Sequence, residues 1–411
     1  MTGRVQRSFP RPRPAAWLLL TTSLWLLLLS GCATFGDRRA PGFTSVALEP
    51  VRLPARIVSN FFLIEAKQTD GKTYRFMIDT GSSATLVSPA VAAALGQRER
   101  KSAPPRTLRV RSADGHDVDL PAITLRQLVL GGARFERVPA AVNDFADLSN
   151  HLGLQIDGVL GFPLFRGTVL TLDYPASQLG IEPNPLLLPP TPKPSPRTAT
   201  FTFDNEQGTP LIPVQMGNES FVVLIDSGSD AGLTLNPAGL HPRFASGPRV
   251  GTLIASLGGD RRQLVGRLAQ NIAIGTEQVQ QPVVDLTEQL SSLGGELLRH
   301  FTLTFDQHRN LVTFVRESDG PVQIPARRSP GLAFRRYPAY WRVLALVPDT
   351  PGSALPVQAG DLCVRVNGEP VSQWDYERYA ALLRTATKVT YTFLTGPKEQ
   401  DFDVAVQDLV P

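Results

Sequence analysis

The chain has 411 residues, 42% of them hydrophobic, with 41 basic and 37 acidic side chains and a formal charge of +4. Four of the basic residues, Arg4, Arg7, Arg11 and Arg13, crowd an acid-free N-terminal segment, so the rest carries 41 − 4 = 37 basic against 37 acidic residues and is neutral. Neutrality without a basic run argues against nucleic acid as a partner, and two cysteines, Cys32 and Cys363, are too few for a disulfide framework.

Behind the arginines runs an apolar stretch from Ala15 to Leu29, broken only by Thr21, Thr22 and Ser23. It is short for a transmembrane helix and suited to a signal-peptide core. The next residues, Leu29-Ser30-Gly31-Cys32, resemble a bacterial lipobox. That resemblance implies removal of residues 1–31, a lipid on Cys32 and a periplasm-facing membrane lipoprotein. Ala33, where inner-membrane sorting signals carry aspartate, implies the outer membrane; the other reading is a short uncleaved anchor. Residues 32–50 lack periodic apolar pattern and read as a tether.

Two stretches then echo one another, Phe76-Met77-Ile78-Asp79-Thr80-Gly81-Ser82 and Val223-Leu224-Ile225-Asp226-Ser227-Gly228-Ser229. Each reads as a buried strand that delivers a carboxylate to a glycine-bearing turn. Their surroundings repeat too. Thr85-Leu86-Val87-Ser88-Pro89 and Thr234-Leu235-Asn236-Pro237 each read as a strand entering a helix, with Ser88 or Asn236 as N-cap and proline first in the helix. Gly161 to Asp173 is answered by Gly294 to Asp306 without a gap, since 294 − 161 = 306 − 173 = 133. This spacing predicts an internal duplication of a β-rich unit.

Each half resembles a retropepsin-type aspartic protease unit, and the tandem resembles a pepsin-like bilobal enzyme. The matching residues are Asp79-Thr80-Gly81-Ser82 with Asp157-Gly158-Val159-Leu160-Gly161, and Asp226-Ser227-Gly228-Ser229 with Leu293-Gly294-Gly295-Glu296-Leu297-Leu298-Arg299. Ser292 departs from the family pattern, which has a hydrophobic residue there. The resemblance implies an all-β fold, a catalytic pair Asp79 and Asp226, and no cofactor or metal. It also implies that Thr80 and Ser227 lock the two loops together, that Gly81 and Gly228 shape them, and that the hydroxyls of Ser82 and Ser229 bond the outer carboxylate oxygens. Two facing carboxylates share one proton and activate water without a covalent intermediate; aspartic proteases are the standard example of that behaviour. The expected units are an N-lobe at 51–182, a C-lobe at 200–317 and a monomer that is a pseudo-dimer; a silent pseudoprotease that binds peptides is the alternative reading, and pairing of lobes between two chains is a third.

Between the first pair of motifs, the alternation from Thr107 to Leu120 around Asp114-Gly115 predicts a hairpin, placed where the family has its flap but without the flap tyrosine; the stretch from Ala255 to Asp260 is its counterpart. Residues 183–199 hold seven prolines and read as a stiff inter-lobe linker. From residue 327 a third pattern begins, which resembles a PDZ domain of the kind fused to bacterial proteases. It rests on Gly331-Leu332-Ala333-Phe334, Ala359-Gly360-Asp361, Val366-Asn367-Gly368 and a helical stretch from Trp374 to Arg384. That resemblance implies a loop at Gly331, Leu332, Ala333 and Phe334 whose N–H groups bind a peptide carboxylate, with the peptide added as an extra strand. Cys363, on an alternating strand, reads as a packing residue.

Overall fold

The computed structural model describes residues 39–97, 106–111, 117–183, 198–204, 208–254 and 261–411. Cys32, both hairpin tips and most of the proline-rich stretch lie outside them. The fold is all-β. Among the described residues the strands form a 14-stranded sheet, a 10-stranded sheet, a six-stranded sheet and a two-stranded pair.

What positions the site is one arrangement met twice. Strand Thr73–Asp79 pairs in parallel with Gly158–Gly161, which sets Asp79 opposite Gly161; strand Glu219–Asp226 pairs in parallel with Ser292–Gly294, which sets Asp226 opposite Gly294. Both aspartate strands supply core side chains, Phe76-Met77-Ile78 from the first and Val223 with Ile225 from the second. The first is buried on both faces at Phe76-Met77-Ile78, as its continuous apolar run predicts; the second buries one face, with Val222 exposed on the other.

The two halves meet along a shared set of strands. Val169–Asp173 pairs antiparallel with Thr302–Asp306, and Thr171 stands opposite Thr304 at the centre of that register, their hydroxyls 3.2 Å apart. Gln178–Glu182 and Leu311–Val315 flank this pair, and Val51–Val58 and Thr198–Thr202 flank those in turn. Thr198 and Ala199, expected in the linker, are therefore strand residues. A three-residue strand, Phe43–Ser45, also pairs with Ala133–Val142 inside the expected tether. Backbone pairing needs no apolar periodicity, and Phe43 itself is 54% exposed.

Ser88 caps helix Pro89–Leu95 by accepting the Val91 N–H at 3.3 Å, as the Ser-Pro pair predicts. Its counterpart does not start a helix. Asn236 Oδ1 accepts the Ala238 N–H at 3.0 Å and Leu240 N–H reaches Pro237 O, closing turns only. Gly239 lies at φ +75°, and Pro242 follows two residues after Leu240, so the chain cannot continue helically.

The C-terminal region has strand Leu332–Arg336 at one edge of the six-stranded sheet and helix Tyr376–Thr385, capped by the Asp375 carboxylate on the Arg378 N–H at 2.8 Å. Cys363 is buried, and burial pushes its thiol up to about 12, an inert packing residue. This region shares part of its core with the rest of the chain. The C-terminal strand Gln407–Val410 pairs with Arg327–Ser329, and Leu409 and Val410 belong to the main hydrophobic core.

Candidate active site

Asp79 and Asp226 end their strands side by side, and the residues after them interlock. Thr80 Oγ1 donates to Ile225 O at 2.7 Å and accepts the Ser227 N–H at 3.1 Å; Ser227 Oγ donates to Ile78 O at 2.8 Å and accepts the Thr80 N–H at 3.0 Å. Both hydroxyls are fully buried. Four reciprocal bonds therefore satisfy backbone groups that would otherwise be stranded in the interior, and they fix the spacing of the two strands.

The glycines act across the gap. A Cβ built on Gly81 would overlap the Asp226 carboxylate, and one on Gly228 would overlap that of Asp79. Each loop thus needs a residue without a side chain because the other loop's acid stands there. Gly161 and Gly294 press in the same way on the backbones of Ser82 to Ala84 and of Ala231. Phe162 N–H donates to Ser82 O at 2.9 Å and Gly295 N–H to Ser229 O at 2.7 Å, which ties each supporting turn to its loop.

Ser82 and Ser229 do not act as expected. Asp79 Oδ1 accepts the Ser82 backbone N–H at 2.9 Å, while the Ser82 hydroxyl donates to Ala84 O at 2.8 Å and accepts the Ala84 N–H at 3.3 Å. Ser229 Oγ accepts the Ala231 N–H at 3.4 Å, and Asp226 Oδ1 takes the Gly228 N–H at 3.0 Å. A hydroxyl closing a turn two residues away orders less chain than one reaching outward, so the serines fasten their own turns. Ser292, the departure from the family pattern, shares a 2.7 Å hydroxyl contact with Thr234 and donates its N–H to Thr234 Oγ1 at 3.1 Å, a polar latch in an apolar position.

Burial pushes Asp79 up to about 6, against the pull of the Ser82 and Gly81 N–H groups and a hydrogen bond with Asp226. Asp226 is driven well above the usual carboxylate range by burial first, then by the charge of Asp79, with Asp230 adding to it. Both carboxyls are therefore held above the usual carboxylate range, Asp226 the more strongly, so the pair titrates as a unit and keeps one proton after the first is lost.

Residues 65–164 match the family model for aspartyl protease. That stretch contains Asp79 and the whole Asp157–Gly161 support; Asp226 lies outside it. No curated protein matches the chain. The family match therefore covers the first loop, and the second rests on its geometry.

Several residues that carry no mark in the sequence stand around the two aspartate loops. Asn60, in a turn at φ +68°, donates to Asp230 O at 2.8 Å and accepts from Arg299 at 3.3 Å. Tyr174 is buried edge-on against Phe62 at 5.0 Å; burial first, then the charges of Asp226 and Asp79, raise its phenol, and its hydroxyl has no partner among the described residues. Arg327 reaches Asp285 with two contacts, 2.9 and 3.1 Å. None of these carries a sequence signal, because each acts across a turn or from a distant strand.

The expected peptide-carboxylate loop is not a loop. Leu332–Arg336 is a strand paired with Trp341–Leu346, Leu332 and Ala333 are buried, and the Gly331 N–H donates to Ser329 Oγ at 3.0 Å. Gly331, at φ +87°, sits where a Cβ would overlap Thr350. Beside this strand and the Tyr376–Thr385 helix packs helix Ala146–Leu152 of the protease region. His151 meets the Tyr376 ring at 5.0 Å, Arg336 donates to His151 O at 3.5 Å, and Arg56 pairs with Glu377 at 2.7 Å.

Proposed function

We propose that the chain is an aspartic endopeptidase in which Asp79 and Asp226 together activate a water for peptide-bond hydrolysis. The observation that carries this reading is the reciprocal Thr80–Ser227 lock, which presents two half-buried carboxylates to each other. Asp79 takes a proton from the water while protonated Asp226 polarises the scissile carbonyl; the tetrahedral intermediate then collapses with proton return to the leaving amine. The two halves act as the lobes of a pepsin-like pseudo-dimer within one chain, and protein or peptide substrates lie between them.

Lipid on Cys32 holds the enzyme at the periplasmic face of the outer membrane, and the PDZ-like region at 327–411 takes part in recruiting protein substrates. The lipobox and the edge position of strand Leu332–Arg336 support these two parts. The deciding experiment is cleavage of a peptide library by the protein from residue 33 onward, beside D79N and D226N. Cleavage by the parent and none by either variant is expected. Cleavage that survives both substitutions would place the chemistry elsewhere, and a parent without activity would favour a peptide-binding pseudoprotease.

A further inference from the structure

Sequence resemblance puts the catalytic residues in the two aspartate loops and treats everything beyond residue 327 as an appended module. The contacts of Arg327 cross that division. Its guanidinium forks onto Asp285, with Nη1 at 2.9 and 3.1 Å from the two carboxylate oxygens, and Nη2 lies 3.8 Å from Glu296 Oε2. Asp285 is 5% exposed, so its charge has little water to stabilise it.

Both carboxylates abut the Asp226 loop. Asp285 stands opposite Thr234 in the strand pair that follows the loop. Glu296 begins the turn whose N–H groups hold the loop, Gly295 to Ser229 O at 2.7 Å and Glu296 to Ala231 O at 3.2 Å, and its carboxylate lies over Gly232, where a Cβ would come within 3.2 Å. Arg327 itself opens strand Arg327–Ser329, whose partner is the C-terminal strand Gln407–Val410. One side chain from the C-terminal region thus clamps the two elements that flank the second aspartate loop.

We infer that Arg327 is a positioning residue for the Asp226 loop, through which docking of the C-terminal region sets the competence of the dyad. The inference rests on the protease reading for its kinetic form. The guanidinium places one nitrogen on Asp285 and holds a second, at fixed separation, beside Glu296, whereas an ammonium has a single nitrogen and must serve both acids from one point. The charged and titratable groups gathered around this loop are Asp79, Asp230, Asp285, Glu296, Arg299, Arg327, Tyr174 and Tyr376. Acids outnumber bases among them, and the Arg327 cation holds down Asp230 and Glu296, the first of which acts on Asp226, so withdrawing it reaches Asp226 through its neighbours.

The test compares Arg327→Lys and Arg327→Gln in the full mature chain. Arg327→Lys keeps the charge and loses the fork, so kcat should fall about tenfold with KM nearly unchanged and the alkaline limb of the kcat profile in place. Arg327→Gln should lower kcat further and move that limb upward by about half a pH unit. Wild-type kcat in Arg327→Lys, or a drop in melting temperature as the sole effect in both variants, would overturn the inference. Should the parent itself fail to cleave, the protease reading fails separately. A carboxyl carbon-13 NMR titration of Asp79 and Asp226 still decides then: the upper value of the pair rises in Arg327→Gln, and an unmoved value overturns the assignment.

Discussion

The surroundings of the two aspartate loops share a backbone plan and differ in chemistry. Behind the Asp79 loop the supporting turn is Phe162–Phe165, four buried side chains, with Phe162 edge-on to Phe203 at 5.7 Å and Phe305 at 5.3 Å. Behind the Asp226 loop the corresponding turn is Gly295–Leu298, where Gly295 replaces the phenylalanine because a Cβ would overlap Asn60 O. Hydrocarbon seats the first loop, and paired charges seat the second. Two nearly equivalent carboxylates placed in one cleft would compete for the same proton; unequal surroundings decide which one keeps it.

The largest effects should come from the loops themselves. D79N or D226N should lower kcat by about a thousandfold or more, each nearly as much as the double variant, since the pair acts as a unit. The same variants separate the two environments by stability. Asp79 has a folded value of about 6, above its unfolded one, so its favourable contribution is complete at low pH and is lost as pH rises through about 6. D79N should therefore melt higher than the parent at pH 7.5 and at the same temperature near pH 3, as calorimetry would show. Cleavage should rise as pH increases through about 6, where Asp79 becomes ionised, and fall at higher pH as Asp226 loses its proton.

Next in size is the shared lock. Thr80→Val strands the Ser227 N–H and the Ile225 carbonyl in the interior at about 1–3 kcal/mol each, and Ser227→Ala should cost a similar amount. Each substitution removes two different bonds of the four, so chemical denaturation of both single variants and the double would show, as a departure from additive losses, how strongly the two halves of the lock support each other. The apolar and charged seats are then told apart by Phe162→Ala, expected to cost about 3–5 kcal/mol, against Glu296→Gln, expected to cost under about 1 kcal/mol while shifting the pH profile. Equal costs for these two would remove the distinction between the loops.

The smallest effect concerns His151, held neutral down to about 4 by burial and by the Arg336 charge. Its folded value is depressed, so the stability it contributes is present above its unfolded value and fades as pH falls toward about 4. His151→Phe should flatten that part of the acid denaturation curve and leave neutral-pH melting within a degree or two.

The aspartate strands and the glycine turns were legible because strands and tight turns leave local marks in sequence. The Ser88 cap was legible for the same reason. Asn236 carries the same signal, yet Gly239 and Pro242 overrule it within six residues. The hydroxyls of Ser82 and Ser229 were misread because resemblance supplies residue types and not rotamers. Arg327, Asn60 and Tyr174 were invisible: each acquires its role from a chain segment far away, and no periodicity records such contacts. The strand at Leu332–Arg336 was read as a loop because Gly331, a turn residue by type, here serves to clear Thr350.

Strand Val169–Asp173 finds its neighbour Thr302–Asp306 about 130 residues later in the chain. As synthesis proceeds from the N-terminus, the first half is complete while this strand's outer edge still has open N–H and C=O groups. For that interval the nascent protein is a half-sheet seeking any compatible edge, including the same strand on another copy, whose Thr171 would meet its twin as Thr304 later does. Joining such distant segments is slow by topology alone. Successful maturation then becomes a race between finishing the polypeptide and pairing with a stranger.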